Sequence, residues 1–145
     1  SYLVITDEMS HALSLAAKRG VDVRIMTPGI PDKKMIYELT RSYYHGLARN
    51  GVHIYEYTPG FNHAKVCVTD DQAAIVGTIN LDFRSLYHHF EDAVLFYNCP
   101  QVMDVKKDFL ETFPLCLDVT EQYHTARSRL MRSRHLVLRV FAPLL

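Results

Sequence analysis

The stretch FNHAKVCVTDDQAAIVGTINLDFRS, residues 61–85, decides how the chain reads. It alternates at period two on either side of DDQ, which is turn material, so residues 63–69 and 73–78 are predicted to form a β-hairpin. On a strand, side chains at i and i+2 share a face, which places His63 and Lys65 side by side with Ala64, Val66 and Val68 opposite. A core strand has no packing use for that pair. A phosphate site has: the ammonium neutralises phosphoryl oxygens, and the imidazole attacks phosphorus or moves a proton near neutral pH. Gly77 closes the second strand, and Thr78 and Asn80 follow on a tight turn with a hydroxyl and a carboxamide to offer phosphate oxygens. Glu91 opens the next strand pattern. A carboxylate there can accept the other N–H of His63, fixing its tautomer and stabilising the imidazolium. A single His and Lys at a strand end are more often surface decoration; the string H-x-K-x4-D-x6-G-T-x-N is far more specific.

Outward from this stretch the pattern alternates. Residues 1–5 read as a buried strand and 11–20 as a helix, with Asp7 or Ser10 as cap and Gly20 as stop. Residues 21–27 read as a strand. Residues 33–51 carry Met35, Ile36, Leu39, Tyr43 and Leu47 at helical spacing, and 52–57 alternate again. Strand, helix, strand, helix, strand predicts an α/β domain whose mixed, mostly parallel sheet is flanked by helices. Residues 80–89 read as irregular and polar, 90–98 as a strand, and 101–113 and 120–136 as helices. One domain is expected over 1–145, with an α/β core over 1–118 and a basic helical extension over 119–145. Of Tyr43 and Tyr44, one is expected in the core and the other partly exposed.

Composition sets further bounds. The chain has 145 residues, ordinary apolar and charged content and a formal net charge of zero, so nothing in the whole-molecule charge calls for nucleic acid. Cys67, Cys99 and Cys116 are widely spaced and are expected as reduced core thiols in a reducing compartment. No C-x-x-C pattern points to zinc, and His88 and His89, being adjacent, make a poor chelating pair. No stretch approaches the roughly 20 apolar residues of a membrane span, and no signal peptide is visible. The abrupt strand-like start suits a piece of a longer protein. Near the C-terminus, Arg127, Arg129, Arg132, Arg134 and Arg139 interleave with Leu130, Met131, Leu136 and Phe141. That pattern fits an anionic membrane surface, or a helix packed on its own domain with a solvated basic face.

His63, Lys65 and Asp70, continued by Gly77, Thr78 and Asn80, match the HKD motif of the phospholipase D superfamily. With RGVDVRIMTPGIPD, GVHIYEYTPGFNHAKV, GTINLDFRSL, HFE and the terminal FAPLL, nearly the whole chain resembles the C-terminal half of bacterial cardiolipin synthases. The resemblance implies two HKD motifs sharing one active site, no metal or other cofactor, and phosphatidyl transfer between two phosphatidylglycerols. One His forms a phosphohistidine; the other protonates the leaving glycerol and then deprotonates the incoming alcohol. It implies general acid/base work for His63, phosphate binding for Lys65 and Asn80, support from Thr78, orientation of His63 by Glu91, a mainly structural Asp70, and a possible loop-ordering role for Arg84. It further implies a bacterial cell membrane for the full-length protein, with this segment soluble or peripheral on the cytoplasmic side.

The chain departs from the two-motif pattern, because only His63 is followed by Lys two residues later. Its expected partners are an N-terminal HKD half of the same polypeptide or a second copy, together with phosphatidylglycerol and an anionic membrane; nucleic acid is not expected. A homodimeric phosphodiesterase or nuclease, or an inactive lipid-binding module, are the competing readings.

Overall fold

The computed structural model describes residues 2–125. The basic stretch from Arg127 onward lies outside them. In chain order the elements are β1 (Leu3–Val4), α1 (Asp7–Lys18), β2 (Arg24–Pro28), α2 (Lys34–Ala48), β3 (His53–Tyr57), β4 (Val66–Thr69), β5 (Ala73–Gly77), β6 (Leu81–Asp82), α3 (Phe83–Tyr87), β7 (Ala93–Tyr97), α4 (Pro100–Thr112), β8 (Cys116–Asp118) and α5 (Thr120–His124). The fold is mixed α/β, as the alternation predicts. The parallel pairs are β1–β6 and β2–β3, while β3–β8, β4–β5 and β5–β7 are antiparallel. The parallel share is therefore smaller than the strand–helix alternation alone implies, because the hairpin extends its own sheet by taking β7 antiparallel.

Local chemistry sets the helix ends. The Thr6 hydroxyl accepts from the Met9 amide at 3.2 Å, and Asp7 and Glu8 follow in the first turn of α1, where negative charge meets the positive end of the helix dipole. Gly20 and Gly51 take positive φ (91° and 93°) just past α1 and α2, a conformation that opposes side chains other than glycine. Pro100 opens α4, where its missing N–H is no loss.

The core lies between α2 and the strands β1 and β3. Leu3, Ile5, Leu39, Leu47, Val52 and Ile54 are buried there, each contributing roughly 1.5–3 kcal/mol relative to exposure. Tyr43 and Tyr44 are both buried, at 5% and 0% exposure, which corrects the expectation that one would be exposed. The reason is α5: Tyr123 meets Tyr44 edge-on at 5.0 Å, and the His45 ring nitrogen lies 2.7 Å from the Tyr123 carbonyl. Val119 and Tyr123 are themselves core residues, so the chain continues its core past residue 118. The Tyr44 hydroxyl keeps a partner at full burial, Thr27 Oγ1 at 2.6 Å.

The cysteines depart from expectation. Cys67 is exposed and Cys99 and Cys116 are half-buried; all three are free thiols. Cys67 is in register with Ile75, which pairs with Leu95, and all three are exposed. Helix α4 packs against β4, β5 and β7, and Val102 and Ala74 are buried, while no helix among the described residues covers the Cys67 face of the sheet. Residues 80–89 are not irregular: β6 pairs with β1 through Leu3–Leu81, and α3 starts at Phe83 with the Asp82 carboxylate accepting from the Ser85 amide at 2.8 Å.

Candidate active site

The loops that follow the parallel strands β2 and β3 emerge at the same edge, since Thr27 pairs with Glu56 and Pro28 with Tyr57. Ligands of open α/β sheets bind at such carboxyl ends. The chain leaving β3 runs through Phe61 and His63 into β4. His63 and Lys65 precede β4 rather than lying in it, so the alternation predicted for this strand starts three residues late. Both side chains nevertheless line one cleft of about 510 Å³, together with Gly77, Thr78 and Asn80. The hairpin brings the two parts of the motif together: Val66 pairs with Val76, and the Gly77 amide donates to the Lys65 carbonyl at 3.2 Å. Gly77 is required by space. A Cβ there would lie 2.3 Å from the Asp92 carbonyl oxygen and 2.6 Å from Ala93 Cα, closer than real side chains approach backbone.

Charge in the cleft is arranged for an anion. The Lys65 ammonium donates to the His63 carbonyl at 2.7 Å. Partial desolvation lowers its pKa, against the opposing pull of Glu91 and Asp82. The Phe61 ring stacks on the His63 imidazole at 5.6 Å with 19° between planes. Desolvation first, then the Lys65 charge, hold the His63 pKa below its ordinary value; Lys33 adds to this and Asp32 opposes it. The shift favours the neutral form of the imidazole, the form that takes a proton. The sign gives a test: Lys65→Met removes a neighbouring cation, favours the imidazolium and raises the His63 titration midpoint toward the ordinary ~6.5. An NMR titration of His63 in both proteins measures it; an unmoved or lowered midpoint would show that the ammonium does not act on the ring.

The structure places the other expected residues as follows. Glu91 accepts from the Thr78 hydroxyl at 2.5 Å, which chiefly holds its pKa low, and Asp92 N donates back to Thr78 Oγ1 at 3.0 Å. Glu91 makes no hydrogen bond to His63 among the described residues; the expected Glu91–His63 contact is replaced by Glu91–Thr78, so the carboxylate braces the turn that carries Thr78 and Asn80. Asp70 lies at the far end of the hairpin, four strand positions or roughly 13 Å from the Val66–Val76 pair. Asp70 and Asp71 take φ of 51° and 58°, the left-handed pair at the centre of the turn that Gln72 N closes onto Thr69 O at 3.1 Å, between strands whose last pair is Thr69–Ala73. The Asp71 carboxylate then takes Lys106 of α4 at 2.5 Å. Arg84 is exposed on α3 and forms no ion pair with Asp82 among the described residues, Asp82 being engaged as the cap. His88 and His89 are exposed, with His89 Nδ1 at 3.9 Å from Glu91. Among the described residues no three His, Cys, Asp or Glu side chains are grouped to hold a metal ion, and no helix is long and apolar enough to cross a membrane.

Sequence reasoning passed over the loop after β2. Asp32 and Lys33 act electrostatically on His63, and Asn62 Nδ2 donates to Met26 Sδ at 3.4 Å. The available signal was the charged run Asp32, Lys33 and Lys34 at the end of the short loop that follows a predicted strand.

Comparison with known proteins supplies the family. Residues 1–113 match the family model described as cardiolipin synthase, PLD-like domain. The chain belongs to that family. Over 144 residues the PLD-like chain is 50% identical to an uncharacterized protein of Streptococcus mutans, and 38% identical to cardiolipin synthases of Geobacillus kaustophilus and Clostridium perfringens. These matches take in 99% of this chain but 31%, 29% and 30% of the relatives, so it spans about a third or less of their length. The fold is that of phospholipase D: a crystal structure of the phospholipase D family member Nuc from Salmonella typhimurium superposes with a TM-score of 0.70 at 21% identity, covering 81% of this chain and 77% of Nuc.

Proposed function

We propose that this PLD-like domain is the C-terminal HKD half of a cardiolipin synthase. The observation that carries the reading is the convergence of His63, Lys65, Thr78 and Asn80 on one cleft, from segments on either side of the hairpin, in a chain of this family. A second HKD half, on the same polypeptide or another copy, completes the site. Its histidine attacks the phosphorus of one phosphatidylglycerol. As the bond to glycerol breaks, protonated His63 gives its proton to the leaving oxygen. A phosphohistidine remains on the partner half. Neutral His63 then takes the proton from a hydroxyl of a second phosphatidylglycerol, whose oxygen displaces the histidine nitrogen to give cardiolipin. Lys65 and Asn80 bind the phosphoryl oxygens throughout, with Thr78 held in place by Glu91. Work on a lipid places the full-length protein at a bacterial membrane, and the basic stretch from Arg127 is offered to its anionic surface.

Water exclusion by the missing half separates transfer from hydrolysis. The test is to incubate the chain, alone and with the second half, with phosphatidylglycerol vesicles, and to measure cardiolipin and free glycerol. Equimolar products from the pair, and little from the isolated chain, are expected. No product from the pair sinks the synthase reading, and salt-sensitive DNA cleavage by the isolated chain would replace it with the nuclease.

A further inference from the structure

The reaction above joins two phosphatidylglycerols, and each brings a phosphate. The donor's phosphate reacts in the His63 cleft beside Lys65. The acceptor's phosphate does not react, yet it must lie one glycerol length away, repelled by the first anion, while its hydroxyl reaches the phosphorus. Bringing two anions that close calls for a second cation at the edge of the cleft.

The loop after β2 supplies one. Gly29 N donates to the Tyr57 carbonyl at 2.8 Å, and a Cβ on Gly29 would sit only 2.7 Å from that oxygen, so the loop after β2 lies flush against the loop that carries His63. Asn62, next to His63, bonds back to Met26 of β2 at 3.4 Å. Tyr2 fixes the tip of the loop: its hydroxyl accepts the amides of Asp32 and Lys33 at 3.1 and 3.4 Å and donates to the Asp32 carboxylate. Asp32 is thus engaged by Tyr2, while the Lys33 side chain is exposed and forms no ion pair among the described residues. The contacts of Gly29 with Tyr57 and of Asn62 with Met26 hold the loop that carries Lys33 against the chain that carries His63, and Lys33 is among the charges that oppose protonation of the ring.

We propose that Lys33 binds the unreacting phosphate of the acceptor phosphatidylglycerol, and so favours a phospholipid over a neutral alcohol as the incoming group. This rests on the synthase reading. The experiment offers the full-length enzyme phosphatidylglycerol vesicles in the presence of ethanol and measures cardiolipin against phosphatidylethanol. Both products descend from one phosphohistidine, so their ratio is insensitive to the folded fraction, to vesicle binding and to the rate of donor cleavage. Lys33→Ala is expected to lower the ratio about fivefold, the effect of one lysine near an anionic lipid phosphate. Lys33→Glu is expected to lower it further, and Lys33→Arg to hold it within about twofold of the wild type. An unchanged ratio in Lys33→Ala and Lys33→Glu overturns the assignment while leaving the synthase reading intact. A wild-type enzyme that makes no cardiolipin sinks the synthase reading and the Lys33 assignment with it.

Discussion

His63→Asn is expected to lower cardiolipin and glycerol release by the two-half enzyme by about a thousandfold or more, within the range that follows loss of a general acid/base or nucleophile. Asn keeps a polar side chain but accepts and releases no proton near pH 7. The His63 side chain is exposed and stands outside the hydrophobic core, so folding is expected to stay within about 0.5 kcal/mol of the wild type. The loss would therefore be chemical. A donor with an activated leaving group, such as a p-nitrophenyl ester of phosphatidic acid, separates the two roles a histidine can have here. If His63 is the acid/base, the variant still shows a burst of p-nitrophenol, because that leaving group departs without a proton and the partner histidine still attacks. If His63 is the nucleophile, no burst occurs. Activity within tenfold of wild type would remove His63 from the reaction altogether.

Glu56→Ala is expected to destabilise the domain by about 3 kcal/mol, at the low end for breaking a buried ion pair because Arg41 keeps some solvent access. Glu56 is 4% exposed, and one carboxylate oxygen lies 3.4 Å from Arg41 Nε. The Tyr37 hydroxyl donates to the other at 3.3 Å. The Arg41 guanidinium sits over the rings of Tyr37 and Tyr123, at 5.2 and 5.6 Å. Removing the carboxylate leaves a half-buried cation facing aromatic walls without its counter-charge, and a hydroxyl without its acceptor. Against a total of roughly 5–15 kcal/mol for a domain, that is a large fraction. Urea unfolding of Glu56→Ala and of the double variant Glu56→Leu/Arg41→Met measures it. The double variant is expected to recover most of the loss, since apolar side chains of similar volume remove both charges together. A single-variant cost under about 1 kcal/mol would show that the pair is solvated and contributes little. The pair matters for the site because Glu56 is the penultimate residue of β3, and the loop to His63 starts two residues later.

Much of this was legible in the chain. The period-two runs at 52–57 and 73–78 and the helical spacing of Ile36, Leu39, Tyr43 and Leu47 are local patterns, and the corresponding elements form. The HKD string is local too: DDQ forces a hairpin, and a hairpin returns Thr78 and Asn80 to the side of Lys65. What failed to show has a different origin. β6 is two residues long and exists only because Leu81 finds Leu3, 78 positions away, so no periodicity announces it. Tyr43 and Tyr44 are both buried because α5 returns to cover them. Glu91 pairs with Thr78 and not with His63 because the β5–β7 register sets Thr78 against Asp92.

The sequence by itself determined most of the strands and helices, where the hairpin turns and that His63, Lys65, Thr78 and Asn80 come to one side of it, because those follow from backbone geometry over a few residues. Only the tertiary structure decided that the β2 loop, with Lys33 near its end, stands beside the β3 loop, and that Cys67 lies on an exposed sheet face. Those outcomes depend on pairings between residues far apart in the chain, which are fixed by the collective burial of Leu3, Leu39, Tyr44 and Ile54 and by no short-range pattern.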